Sequence, residues 1–66
     1  MRIFVNGETR DVENAPTVAD LVAALGLETR KVAVERNLEI VPRSLHAATP
    51  VLEGDRFEIV TFIGGG

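Results

Sequence analysis

An α+β fold, with one main helix laid across one face of a mixed four- to five-stranded sheet, is what this sequence predicts. Three observations carry the prediction. Two strand-like segments flank Asn6-Gly7, one amphipathic stretch at helical spacing follows, and alternating segments return after it. A single helix between strands buries its own stripe and one sheet face by lying across that sheet. The length agrees, because 66 residues hold one domain. A chain this short buries only ~60% of the surface it exposes when unfolded, so one modest core must hold it. Residues 1–63 read as that domain and 64–66 as a flexible glycine tail.

Each element has a local cause. Met1 to Val5 sets Ile3 and Val5 on one side and Arg2 and Phe4 on the other. Asn6-Gly7 suits a type I′ turn, in which both residues take positive φ. Glu8 to Val12 returns, and Glu8, Arg10 and Glu13 suit a solvated or edge position. Thr17 is an N-cap that Asp20 answers in a capping box. Val18, Leu21, Val22 and Leu25 then form one helical stripe of about 8–10 residues that Gly26 ends. Val32 and Val34 give a strand, Arg36-Asn37 a turn, and Leu38 to Val41 a short strand that Pro42 stops. Ser44 to Ala48 reads as an irregular or 3₁₀ turn, Glu53-Gly54-Asp55 as a further turn, and Arg56 to Ile63 as the last strand. If that strand runs parallel to the first, between the hairpin and the third strand, the helix becomes a right-handed crossover. The arrangement is then the β-grasp.

Composition excludes several classes of function. With no cysteine there are no disulfides, no four-thiolate metal site and no Cys–His nucleophile. Seven basic and ten acidic residues give a net charge of −3. Only Arg30 and Lys31 are adjacent cations, which argues against a nucleic-acid surface. The most apolar window, Val18 to Leu27, is too short to span a bilayer and contains Asp20. The amino end opens straight into an alternating strand, so no signal peptide is expected and the location is expected to be cytoplasmic. His46, the lone histidine, is expected in a solvent-exposed loop, and Ser44 with His46 lacks any supporting triad motif. No metal site is expected from the dispersed carboxylates. No site-specific reason places Arg36 or Arg43, so a turn-stabilising or surface position is the default for both.

Chemistry concentrates at the carboxyl end. In the last strand Phe57, Ile59, Thr61 and Ile63 share one face, and Glu58, Val60 and Phe62 share the other. With Phe57 and Ile59 in the core, Val60 and Phe62 point outward and suggest a docking patch, unless strand twist turns Phe62 back. Gly64, Gly65 and Gly66 follow at once. Glycine has no Cβ, so such a tail can enter a narrow channel and bring its α-carboxylate to a reagent. That carboxylate is ionised at neutral pH and must be activated before acyl chemistry.

The run Val32-Ala33-Val34-Glu35-Arg36-Asn37, then Ile40-Val41-Pro42-Arg43-Ser44, resembles the ThiS sulfur carriers of thiamine biosynthesis, which are ubiquitin-like β-grasp proteins. So do the Glu53-Gly54-Asp55 turn, the apolar last strand and the glycine end. The resemblance implies a carrier, not an enzyme. It implies that Gly66 is adenylated by a ThiF-type adenylyltransferase, which uses the ATP, while this chain binds no cofactor itself. A cysteine persulfide donor then supplies the sulfur of a thiocarboxylate. A ThiG-type thiazole synthase is the implied recipient, building the thiazole ring from 1-deoxy-D-xylulose 5-phosphate and a glycine imine. Gly65 and Gly66 correspond to the family's glycine pair, and Gly64 is an additional glycine. Val60, Phe62 and Glu58 are the expected partner contacts from alternation. The small subunit of molybdopterin synthase, a ubiquitin-type protein modifier and a plain interaction module are the alternatives.

Overall fold

In the computed structural model, which describes residues 1–62, the elements in chain order are β1 (Arg2–Val5), β2 (Glu8–Asp11), α1 (Val18–Ala24), β3 (Val32–Arg36), β4 (Glu39–Val41) and β5 (Arg56–Thr61). Short 3₁₀ turns lie at Thr29–Lys31 and Arg43–Leu45. The strands form a five-stranded sheet ordered β2-β1-β5-β3-β4. β5 is parallel to β1 and antiparallel to β3, so the expected β-grasp order is the one observed.

The first hairpin follows from its turn. Asn6 and Gly7 have φ of 52° and 81°, the sign pattern that matches the twist of the flanking strands. Asn6 also works outside the turn. Its side-chain amide donates to Ile59 O at 3.1 Å and its Oδ1 accepts from Ile59 N–H at 2.8 Å. The side chain thereby pairs with β5 as a strand peptide would. Every residue of β2 is exposed, and its charges shield the sheet edge.

The helix is capped at both ends. Thr17 Oγ1 accepts from Asp20 N–H at 3.3 Å, while Asp20 Oδ2 accepts from Thr17 N–H at 3.1 Å. The loop after β4 completes the job, because Val18 N–H donates to Thr49 O and Ala19 N–H to His46 O, each at 2.9 Å. The amides that a helix start normally leaves open are therefore occupied. At the other end Gly26 has φ 77°; its N–H meets Ala23 O and Leu27 N–H meets Val22 O, the two bonds of a Schellman motif. The caps enclose seven helical residues, fewer than the spacing suggested. Val18, Leu21 and Val22 join Ile3, Val5, Val34, Phe57 and Ile59 in the core.

Three boundaries move. β2 stops at Asp11, and the second turn falls on Asn37 and Leu38, at φ 51° and 73°, so Arg36 ends β3. Leu38 takes a left-handed conformation that costs an L-residue about 1–2 kcal/mol. Its side chain is 90% exposed, so no packing at that position offsets the cost. β5 is assigned to Thr61, although Phe62 N–H still donates to Lys31 O at 2.8 Å.

His46 corrects an expectation. It is 2% exposed, because its own carbonyl caps α1 and draws the loop against the helix. Its Nε2–H donates to Val41 O at 3.1 Å; a carbonyl can only accept, which fixes the tautomer. Nδ1 is buried without a partner among the described residues. Ser44 is exposed and no hydrogen bond joins it to the ring.

Asp55 ties the second half together. Its carboxylate accepts from Leu52 N–H at 2.8 Å, Asn37 Nδ2 at 3.0 Å and Arg36 Nε at 2.8 Å. Arg36 thus has the turn-stabilising position that was its default. Burial pushes the Asp55 pKa up, but the hydrogen bonds from Leu52, Asn37 and Arg36, with the Arg36 charge, outweigh it and hold the pKa below the ordinary aspartate value.

Asp55→Asn is expected to lose about 2–3 kcal/mol in chemical denaturation, since it strips a half-covered guanidinium of its counter-charge. A folded pKa below the unfolded one stabilises above the unfolded value, and that part is lost as pH falls through the folded value. The gap between parent and variant therefore narrows on acidification below about pH 4; a constant gap contradicts the ion pair. Leu38→Gly is expected to gain about 0.5–1 kcal/mol, the relieved left-handed strain less the extra unfolded-state freedom of glycine. An unchanged denaturation midpoint contradicts the strain.

Candidate functional site

β5 is the middle strand, held by β1 on one side and β3 on the other. Phe57 and Ile59 point into the core at 1% and 6% exposure, and Val60 and Phe62 point out at 63% and 53%. The alternation read from the sequence thus holds through Phe62, and twist does not turn that ring inward. Register places half-buried Ala33 of β3 opposite Val60. The Phe62 N–H bond to the Lys31 carbonyl continues the pairing one step further. Ala33, Val60 and Phe62 therefore make one apolar strip at the end of the sheet where β5 finishes. Gly64, Gly65 and Gly66, and Ile63 before them, lie outside the described residues.

Away from this strip the outer face turns polar. Glu58 stands directly opposite Glu35, and Glu35 stands opposite Ile40 on the far strand. Like charges facing across strands repel, and neither glutamate has a cation partner among the described residues. The Arg56 guanidinium sits over the Phe4 ring, 4.3 Å from its centre. That contact covers the β1 side of the face with a cation–π pair. Ile40, 66% exposed, was not singled out from the sequence. Its position in an alternating Glu39-Ile40-Val41 run was the available signal.

Beside the strip lies a charged corner. Lys31 Nζ is 2.9 Å and Arg30 Nη2 3.5 Å from the Glu28 carboxylate. The hydrogen bond and charge of Lys31, with the charge of Arg30, hold the Glu28 pKa below its ordinary value. Arg43 reaches over from the loop after β4 and donates to Arg30 O at 3.2 Å.

On the opposite side of β5, a groove of about 630 Å³ runs between Ala24, Leu25 and Leu27 and the strand end at Val60-Thr61. Arg10 is the only charged residue that lines it among the described residues. Among the described residues no three His, Asp or Glu side chains gather as a metal site would require. Nor is any helix among the described residues long and apolar enough to cross a membrane.

Val60→Asp and Phe62→Asp are each expected to leave the unfolding free energy within about 0.5 kcal/mol of the parent in chemical denaturation, as surface changes do. A loss of several kcal/mol in either would place that side chain in the core.

Comparison with known proteins agrees with the fold. The ThiS family model matches residues 3–66. A thiazole synthase of Paramagnetospirillum magneticum is 54% identical over 66 residues; the match takes in all of this chain, which spans only 20% of that relative. The sulfur carrier protein ThiS of Bacillus subtilis is 42% identical over 50 residues, 76% of each chain. The crystal structure of the thiamine biosynthesis protein ThiS from Geobacter metallireducens superposes with a TM-score of 0.83 at 38% identity, over the whole of both chains.

Proposed function

The chain belongs to the ThiS family, the sulfur carriers of thiamine biosynthesis, and from that premise we propose that it carries sulfur as a thiocarboxylate on the Gly66 carboxyl group. The observation that supports this most directly is the way the central strand leads to that group. β5 is paired with β3 as far as Thr61 and with β1 and the Asn6 side chain as far as Ile59, and the exposed Val60 and Phe62 lie just before the glycines. Within the sequence there is no cysteine on which sulfur could ride instead.

In the proposed cycle an oxygen of the Gly66 carboxylate attacks the α-phosphorus of ATP held by a ThiF-type adenylyltransferase, and pyrophosphate leaves. The outer sulfur of a cysteine persulfide attacks the acyl carbon and AMP departs, leaving an acyl disulfide. A second thiol attacks the donor cysteine's sulfur and forms a disulfide with it, and the thiocarboxylate leaves. This chain supplies the acyl group and the docking surface, and its partners supply the catalytic groups. Val60 and Phe62, with Glu58 beside them, form the contact with those partners. A ThiG-type thiazole synthase is the recipient. In support, a relative named thiazole synthase carries a segment 54% identical to this whole chain within one fifth of its length.

Incubation with a ThiF-type adenylyltransferase, ATP and a persulfide donor is expected to change the intact mass by one oxygen-to-sulfur replacement, mapped to Gly66 by fragmentation. An unchanged mass with a partner proven active on another carrier would sink the proposal. Val60→Asp and Phe62→Asp, folded as above, are expected to weaken partner binding about tenfold or more, as loss of a central apolar contact does. A strain whose carrier lacks residues 65 and 66 is expected to need thiamine and to make molybdenum cofactor normally; the reverse pattern would reassign the recipient.

A further inference from the structure

We propose that Arg30, Lys31 and Arg43 form a basic docking corner that receives an acidic surface of the protein activating the carboxyl end. This rests on the reading above and extends it to a surface that the apolar strip does not include.

The three cations come from two loops that tertiary structure brings together. Arg43 follows β4, yet its guanidinium reaches Arg30 O at 3.2 Å. Arg30 and Lys31 both lean on Glu28, with their side chains 71% and 59% exposed. Three cations against one carboxylate leave this corner two positive charges, in a chain whose net charge is −3. Exposed ion pairs and a solvent-facing arginine bond add little to folding stability. Gathering like charges also works against it, so the fold itself does not require the cluster.

Position gives the cluster a use. The Lys31 carbonyl accepts the Phe62 N–H at 2.8 Å, so the corner borders the last described step of β5. Four residues run from Phe62 to the Gly66 carboxyl group of the proposed cycle, and fully extended they span at most about 14 Å. A globular protein that encloses the Gly66 carboxylate must therefore come up against the rim of the sheet beside Lys31. Protein interfaces commonly set a charged rim around an apolar centre. Here Ala33, Val60 and Phe62 supply the centre, and the basic corner supplies one side of the rim. Glu35 and Glu58 lie on the same outer face toward its other end, so the charges also define which way round a partner sits. A partner rim acidic beside the corner is steered in the correct orientation and repelled in the reverse one.

The test uses the full chain with Arg30→Gln, Lys31→Gln and Arg43→Gln combined, and a ThiF-type adenylyltransferase as the binding probe. Equal denaturation midpoints for parent and variant establish that both are folded. Stopped-flow association at low ionic strength is expected to slow about tenfold in the variant, with the dissociation rate little changed. The difference should fade at high salt, where the screening length shrinks to a few ångströms. Arg30→Glu with Lys31→Glu should slow association further. An association rate and salt slope equal to the parent's overturn the corner, as does a loss of binding that salt does not affect. Sulfur transfer to the parent separates the two readings. A parent that acquires sulfur while the variant associates at the parental rate removes the corner alone; a parent that never acquires sulfur removes both.

Discussion

The Asp55 carboxylate is the constraint on which the rest of the arrangement depends. It receives the Leu52 amide of its own turn, the Asn37 side chain of the β3–β4 turn and the Arg36 side chain at the end of β3. Its backbone carbonyl accepts from Phe4 N–H at 2.9 Å. Three segments distant in sequence therefore meet at the residue before β5 begins. That junction determines how far β5 is inserted between β1 and β3. A one-residue slip would turn Phe57 and Ile59 outward and bring Glu58 and Val60 into the core. The lowered Asp55 pKa is the electrostatic record of the same junction, because a carboxylate ringed by donors prefers its charged form.

Once β5 is set, the two faces divide the work. The inner face holds the core under α1, and α1 itself is fastened at its start by the His46 and Thr49 carbonyls. The outer face carries the exposed apolar strip at one end and the opposed glutamates further along. The strand that is most constrained is thus also the one that leads to the carboxyl end. For a member of a sulfur-carrier family, a rigid base reduces the ordering cost of each encounter. The Leu38 turn shows the opposite economy. It stays strained and fully solvated at the far end of the sheet, where nothing in the structure explains the leucine.

The sequence was legible wherever a cause lay within a few residues of its effect. The Asn6-Gly7 turn, the Thr17–Asp20 capping box and the Gly26 stop are each short-range chemistry, and each was found where it was read. The outward facing of Val60 and Phe62 was legible for a similar reason, since strand alternation transmits the direction of Phe57 and Ile59 along the chain. The turn at Asn37-Leu38 was read one residue early, because leucine carries no turn signal. His46 was misjudged because a loop next to proline looks solvent-exposed when viewed alone. Capping of α1 draws that loop inward, and the capping bond joins residues 27 positions apart.

By itself the sequence determined the elements, their inward and outward faces, the absence of a thiol and the glycine run that follows the last strand. Those depend on backbone preference, side-chain period and composition, all local or countable. Only the tertiary structure decided that Arg36 meets Asp55, that Asn6 pairs with Ile59, and that Arg43 comes to stand with Arg30 and Lys31. These contacts require the register of strands and loops far apart in the chain. No local pattern encodes that register; burial of one shared core selects it.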